Sequence, residues 1–432
     1  MTDLDLTHFV LLQQQAGSLL LYQTTLEAEP IAFFLNLLQT IAAPQADKIA
    51  ALQAYGRWFR AMATVKQSWQ SYLVQQILRV ENPFTRLSQT ISLSEMPIAL
   101  VEAARHDLQV FQQLYYCPSE QLAQVVKQQA GLSSAPIAWQ IEAETSQDDR
   151  TSDMIAKFAA TPDWADLIEP LAAYYRECGT GIFAVYRAFR WQNEQLCGIA
   201  YPDTIRLHEL VGYEMQKEVL LKNTQALLKG YPALHVLLYG SRGSGKSSLV
   251  KSLLHEYGQQ GLRLIEVAKA DLRDLPAIVD RLRQVSLKFI IFVDDLSFEE
   301  DDDAYKALKV VLEGNLTARP QNVVVYATSN RRHLIREYFA DRPRPSDADE
   351  VNAWDTVQEK LSFSDRFGLT LTFNPADQDT YLEIVRHLAA GLAIEPQDLE
   401  FRALQWATRH NGRSGRTARQ FVDFLRADLT ER

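Results

Sequence analysis

Gly240-Ser241-Arg242-Gly243-Ser244-Gly245-Lys246-Ser247 lies directly after an apolar run, Leu234 to Tyr239, and directly before a segment with helical spacing. A G-x-x-x-x-G-K-[ST] octapeptide between a strand and a helix is the Walker A phosphate loop. Glycines at 240, 243 and 245 let the backbone wrap an anion, so that successive N–H groups and the positive end of the helix face it. Ser241, Arg242, Ser244 and Ser248 fill out the nucleotide-contacting set. Lys246 is expected to reach the β- and γ-phosphates and Ser247 to ligate Mg²⁺.

Downstream, Phe289-Ile290-Ile291-Phe292-Val293-Asp294-Asp295 is an apolar strand that ends in two carboxylates, a Walker B element. Asp294 is expected to hold Mg²⁺ through water or the Ser247 hydroxyl, and Asp295 to orient or deprotonate the attacking water. The run Val323 to Ala327 ends in Thr328-Ser329-Asn330. In nucleotidases with an inserted central strand, an Asn so placed contacts the γ-phosphate or the attacking water, which makes Asn330 a candidate sensor. Leu262 to Val267 and Leu369 to Phe373 complete a series of short apolar strands alternating with helices. That pattern predicts an α/β fold, a three-layer parallel sheet with helices on both faces, over 207–376. From Asp377 to Arg432 helical spacing returns, with Asn411-Gly412 as a stop and Ser414 as an N-cap, predicting a helical lid domain over 377–432.

Upstream, residues 1–131 read as an all-helical domain. Leu52, Tyr55, Phe59, Met62, Trp69, Leu73 and Ile77 recur at helical spacing. Stops at Pro30, Pro44 and Asn82-Pro83, with a further start at Pro118-Ser119, predict four or five helices. A polar, acidic stretch over 132–153 reads as a linker, and 154–206 as a connector made of a short helix and a β-hairpin turning at Asn193-Glu194.

The chain has 432 residues, 47% hydrophobic, enough for two or three domains with sizeable cores. Its formal charge of −10 argues against a surface coated in nucleic acid. Cys117, Cys178 and Cys197 form no C-x-x-C pair and fit a reducing compartment. Acidic Asp3 and Asp5 and the glutamines at 13–15 do not suit a signal peptide, and Ile31 to Ala43 is too short to span a membrane. A cytoplasmic protein without membrane contact is expected.

With these motifs in place, the region from Leu207 onward resembles an AAA+ ATPase. The resemblance extends to Leu207 through Glu214, similar to the segment that packs near the adenine and includes Val211 and Gly212. Ser364-Asp365-Arg366-Phe367-Gly368 resembles an arginine-finger region, and Ser414 to Arg419 the start of a sensor-2 helix. The runs Asp294 to Phe298 and Ala327 to Leu334 resemble, more narrowly, a bacterial AAA+ family known as a domain of unknown function and distantly similar to replication initiators and helicase loaders. The resemblance implies ATP and Mg²⁺ as cofactors and assembly into a homo-oligomer. It implies that Arg366 acts on the ATP of a neighbouring subunit, with Arg419 or Arg416 reaching the γ-phosphate from the lid. Most AAA+ proteins carry Asp-Glu where this chain has Asp294-Asp295; the shorter second carboxylate implies slow hydrolysis. The chemistry agrees, because guanidinium groups stabilise a loose phosphoryl-transfer transition state.

Absent features narrow the class. No aromatic-apolar-glycine loop of the unfoldase kind follows the strand at 262–267, and the short interval from Thr317 to Asn322 leaves no room for an inserted hairpin. No guanine-reading Asn-Lys-x-Asp follows the sheet, which favours ATP over GTP. Glu299 to Asp303 read as a solvated acidic loop. Arg331, Arg332, Arg336, Arg342 and Arg344, with His333, form a dense basic run read as a subunit contact in preference to a nucleic-acid surface. Three functions are compatible: an ATPase that remodels or loads a macromolecular partner held by the N-terminal helical domain; a nucleotide-gated binding module with little turnover; and, more weakly, a small-molecule kinase.

Overall fold

The computed structural model describes residues 3–43, 48–117, 119–141, 149–298, 304–313, 320–331, 334, 362–410 and 412–430. The acidic run Glu299 to Asp303, the basic-run residues Arg332, His333, Arg336, Arg342 and Arg344, and Pro44, Pro118 and Asn411 lie outside the described residues. The chain separates into two compact units, Met1–Val185 and Tyr186–Arg432.

The first unit is helical: α1 (Asp3–Ala16), α2 (Glu29–Ala42), α3 (Lys48–Val65), α4 (Trp69–Arg79), α5 (Pro83–Ser88), α6 (Ile98–Tyr115), α7 (Ser119–Ala130), α8 (Asp149–Ala160), α9 (Ile168–Cys178) and α10 (Ile182–Val185). Seven of these fall before residue 131, where the prolines predict four or five. The count is higher because the run from Leu52 to Ile77 breaks at Ser68, which caps α4 by accepting from Ser71 N–H at 3.1 Å, and because α5 and α6 separate over 89–97; Pro30 and Pro83, read as stops, instead open helices. Proline lacks the N–H that a first helical turn leaves unpaired anyway. At α5 the Asn82 side chain accepts from Thr85 N–H at 3.0 Å and the Thr85 hydroxyl accepts from Asn82 N–H at 2.9 Å, a reciprocal cap. The core is built on aromatics, with Phe34 stacked on Trp69 at 4.2 Å between ring centres. Fully buried Asp107 accepts the N–H groups of Leu20, Leu21 and Tyr22, the shortest at 2.7 Å, and so pins the turn after α1.

The second unit contains β1 (Ala188–Gln192), β2 (Gln195–Gly198), α11 (Glu214–Leu228), β3 (Val236–Gly240), α12 (Lys246–Tyr257), β4 (Leu262–Glu266), α13 (Leu275–Leu282), β5 (Lys288–Val293), α14 (Ala304–Glu313), β6 (Val323–Ser329) and β7 (Leu369–Phe373). These strands form one sheet in the order β2-β1-β4-β5-β6-β3-β7, parallel throughout except for the β1–β2 hairpin. The chain steps outward from β3 to β4 and then back through β5 to β6. With right-handed crossovers, that reversal places α12 on one face and α13 and α14 on the other. The row Leu238, Phe292 and Tyr326 packs with Leu249 and Leu253 of α12 and Leu220 of α11 in a single core. The carboxyl ends of β3, β5 and β6 meet where the strand order reverses, the place where open α/β sheets bind ligands.

Two boundaries drawn from sequence differ in the structure. The stretch 154–206 is not a connector of its own: α9 and α10 belong to the first unit and the hairpin to the second. The cause is non-local pairing, since β1 aligns with β4, Phe189 opposite Ile265, and becomes a strand of the main sheet. Likewise α8 begins at Asp149, inside the stretch read as linker. After β7 come α15 (Gln378–Leu388), α16 (Pro396–Arg409) and α17 (Gly415–Thr430), which share a core around Tyr381, Leu399 and Phe421. Ser414 Oγ accepts from Thr417 N–H at 3.1 Å at the start of α17. Among the described residues no helix is long and apolar enough to cross a membrane.

Candidate functional site

The phosphate loop is shaped by contacts that only glycine permits. Gly240 has φ +137°, and a Cβ there would lie 2.0 Å from the Phe373 carbonyl oxygen of the adjacent strand. That carbonyl accepts from Ser241 N–H at 2.9 Å and so fixes the loop's exit from β3. Gly243 has φ +73°, and a Cβ there would meet the Ser414 hydroxyl at 2.8 Å, so the start of the lid's last helix sits against the loop. Arg416 N–H donates to Gly243 C=O at 3.3 Å in the same contact. The loop ends at Gly245, where α12 begins with its first N–H groups free of intrahelical partners.

Lys246 is buried, 6% exposed. Its ammonium donates to Ser241 C=O at 2.7 Å, Gly240 C=O at 3.1 Å and Asn330 Oδ1 at 3.5 Å. Burial pulls its pKa below the ordinary lysine value; Asp294 and Asp295 push it back up, and Arg416 adds to the lowering. The ammonium is thus held by neutral carbonyls beside two carboxylates.

Beside it, the Asp294 Oδ1 atom accepts from Ser247 Oγ at 2.6 Å and from Thr328 Oγ1 at 2.5 Å. Asp295 follows with φ +51°, a left-handed conformation that Asp tolerates better than most side chains. Its N–H donates to Thr328 Oγ1 at 3.0 Å, and its carboxylate accepts from Asn330 Nδ2 at 2.6 Å. The two carboxylates, the lysine, Ser247 and Asn330 are thus one connected polar group at the carboxyl ends of β3, β5 and β6.

These groups line a cavity of about 770 Å³ together with Arg242, Gly243, Ser244, Gly245 and Ser248 of the loop and helix start. Val211, Gly212, Arg416 and Arg419 line it too. Gly240 and Ser241 do not; they act from beneath, through Phe373 and Lys246. At the apolar end, Gly212 and Tyr213 take successive left-handed conformations. Tyr213 donates its hydroxyl to Asn374 C=O at 2.6 Å and packs its ring 4.9 Å from that of Phe373. Ile384 and Leu388 of α15 face this end from the lid. An apolar slot joined to a glycine-lined cationic pocket suits a base joined to phosphates.

Arg366 lies elsewhere. It is not among the cavity's lining residues; its guanidinium pairs with Glu313 of α14 and sits 5.7 Å from the centre of the Phe363 ring, with 17% of the side chain exposed. Sequence reading gave no individual role to Thr328 and Glu209, which lie within quoted segments, or to Tyr213, Ile384 and Leu388. Thr328 was legible by strand parity: it follows Tyr326 by two on β6, as Asp294 follows Phe292 on β5, and Phe292 and Tyr326 are register partners. Glu209, which lines the cavity and pairs with Arg419 at 3.7 Å, has no spacing signal.

The residues fit both groups that the motifs imply. Glycines whose Cβ positions are blocked leave backbone N–H groups for phosphates, and a hydroxyl paired to a carboxylate is the hard-oxygen set suited to Mg²⁺. No cluster of three or more His, Cys, Asp or Glu able to hold a metal occurs among the described residues. β6 inserted between β3 and β5, the phosphate loop and the helical lid together form the AAA+ type of P-loop fold that the motifs resemble.

Among solved structures, the Holliday junction branch migration motor RuvB of Thermotoga maritima is similar at 18% identity over 52% of this chain, with a TM-score of 0.35. A HORMA:CdnC:Trip13 complex of E. coli MS115-1 contains a chain similar at 15% identity over 52% of this one and 92% of its own length, with a TM-score of 0.34. This chain spans 66% of the RuvB chain, just under two thirds. No curated protein matches it in sequence. The model of a family described as "Protein of unknown function (DUF815)" matches residues 184–429, more than half of the sequence and nearly the whole second unit, and the chain belongs to that family.

Proposed function

We propose that this chain is an AAA+ ATPase that binds Mg²⁺-ATP, hydrolyses it slowly, and couples lid and subunit movement to remodelling or loading of a macromolecular partner. The observation that carries the reading is the convergence on one cavity of the glycine loop, the Ser247–Asp294 pair and the lid arginines Arg416 and Arg419.

In this reading the loop N–H groups and Lys246 hold the phosphates, Val211 and Gly212 border the base, and Ser247 with Asp294 hold Mg²⁺. The ion, when bound, supplies charge neutralisation at the phosphate oxygens. Asp295 takes the proton of, or orients, the attacking water, and Asn330 holds the Asp295 carboxylate and bridges it to Lys246. Arg419 and Arg416 report phosphate charge to the lid. Arg366 acts across a subunit boundary in a homo-oligomer, exchanging Glu313 for a neighbour's nucleotide. The first, helical unit takes the protein client.

A second reading, a nucleotide-gated scaffold with little turnover, is favoured by one specific feature: Asp295 is engaged by Asn330 and Arg366 by Glu313 within the same chain. Steady-state ATP hydrolysis against protein concentration, with light scattering on the same samples, separates the two. Turnover that rises with assembly and collapses in Lys246→Ala and Arg366→Ala supports the assembled ATPase. Tight ATP binding by a monomer, with negligible turnover and no effect of Arg366→Ala, overturns it in favour of the scaffold.

A further inference from the structure

Thr328 touches both carboxylates' residues at once, through its hydroxyl. It is 2% exposed, at the end of β6, and lines the cavity. Its hydroxyl has one proton to give and lone pairs to receive. The proton goes to Asp294 Oδ1 at 2.5 Å and a lone pair takes Asp295 N–H at 3.0 Å. Ser247 donates to the same Oδ1, so that oxygen is saturated and the Asp294 carboxylate plane is set by hydroxyls on two different elements, α12 and β6. Asp295 N–H also lies 3.2 Å from Asp294 Oδ1, and the next residue, Leu296, donates its N–H to Thr328 C=O at 2.7 Å. The backbone of Thr328 therefore holds the chain just past Asp295 while its side chain holds Asp295 and Asp294. Without that grip, nothing else on β6 touches the backbone N–H of Asp295, a residue held at φ +51°.

We propose that Thr328 is a positioning residue that couples the two carboxylates, holding the metal-side carboxylate of Asp294 and the left-handed backbone of Asp295 in one arrangement. The inference rests on the Mg²⁺-ATP reading of the cavity and adds to it a role for a residue to which the motifs assign none. It makes Thr328 act through Asp294, not by touching nucleotide. A threonine whose hydroxyl merely satisfies its own burial would make no difference to how the site responds to Mg²⁺.

The test uses the full chain as wild type, Thr328→Val (the same shape without the hydroxyl), Thr328→Ser (the hydroxyl alone) and Asp294→Asn, alone and combined with Thr328→Val. Thr328→Cys, similar in size with only a weak donor, is measured alongside so that the result does not hang on one variant folding. Binding of a fluorescent ATP analogue is titrated with and without Mg²⁺, and the Mg²⁺ concentration giving half-maximal affinity gain is read, with melting temperature as the control for folding. The expected result is metal-free affinity within twofold of wild type in every Thr328 variant. Half-saturating Mg²⁺ rises at least tenfold in Thr328→Val and Thr328→Cys, returns to within threefold of wild type in Thr328→Ser, and changes no further when Thr328→Val is added to Asp294→Asn. Unchanged Mg²⁺ dependence in Thr328→Val, or a full additional loss on the Asp294→Asn background, overturns the proposal while leaving the nucleotide reading intact. Wild type that binds no nucleotide, or binds it without regard to Mg²⁺, overturns the nucleotide reading itself and this inference with it.

Discussion

The two units bury charge in opposite ways. In the helical unit Asp107 is fully buried, and its carboxylate is spent on the backbone N–H groups of one turn, Leu20 to Tyr22. In the sheet unit Lys246 is almost as buried, yet its partners are the carbonyls of its own loop and an Asn that also holds Asp295. The first arrangement is closed, since every bond serves the fold. The second is exchangeable, because phosphate oxygens offer the ammonium stronger partners than neutral carbonyls do. Burial of a charged group therefore marks a site only when its present partners can be replaced by something better.

That contrast can be broken experimentally. The largest effect expected is from Asp107→Ala, which leaves several N–H groups without a partner and costs about 3 kcal/mol or more. Urea unfolding should show the loss in the first unit, with ATP-analogue affinity of the second unit within twofold of wild type; a matching loss of affinity would mean that the two buried charges are not independent. Lys246→Ala should invert the pattern: melting temperature near wild type and nucleotide affinity down about a hundredfold, on the order of 2.7 kcal/mol. A large fall in melting temperature instead would make Lys246 a structural residue like Asp107. Asp295→Asn should keep nucleotide affinity within threefold and lower multiple turnover about thirtyfold, as measured by phosphate release; turnover near wild type would remove Asp295 from the chemistry. The smallest effect is expected at the half-exposed Arg419–Glu209 pair. Glu209→Gln should shift stability by less than about 1 kcal/mol and change affinity under threefold by the same titration.

Much of the sheet unit was legible because phosphate binding needs consecutive residues: Gly240 to Ser247 carry their geometry within one loop, and Asp294-Asp295 end one strand. Thr328 needed only the two-residue period of β5 and β6 to be placed opposite Asp294. What escaped the sequence was pairing between distant segments. Nothing in Ala188 to Gln192 announces β4 as its neighbour, and Arg366 carries no mark of Glu313, which lies on a different element. In the helical unit the error had a local origin. Pro30 and Pro83 are as compatible with a helix's first turn as with a break before it; the cap at Asn82 and Thr85 decides for Pro83, while α2 opens at Pro30 without a side-chain cap.

The hairpin at the sheet's margin has a consequence for anyone dividing this chain. The phosphate-binding motifs begin near Leu207, but β4 obtains its outer hydrogen-bonding partner from residues 188–192, upstream of that point. A fragment starting at Leu207 would lose Ile205 from the cavity lining and present β4 as a bare template for strand addition by its own copies. A fragment starting at Tyr186 keeps the margin sealed by β1 and by the four-residue β2, too short to recruit a long intermolecular strand. Solubility after cutting would thus be decided by about a dozen residues that take no part in lining the cavity.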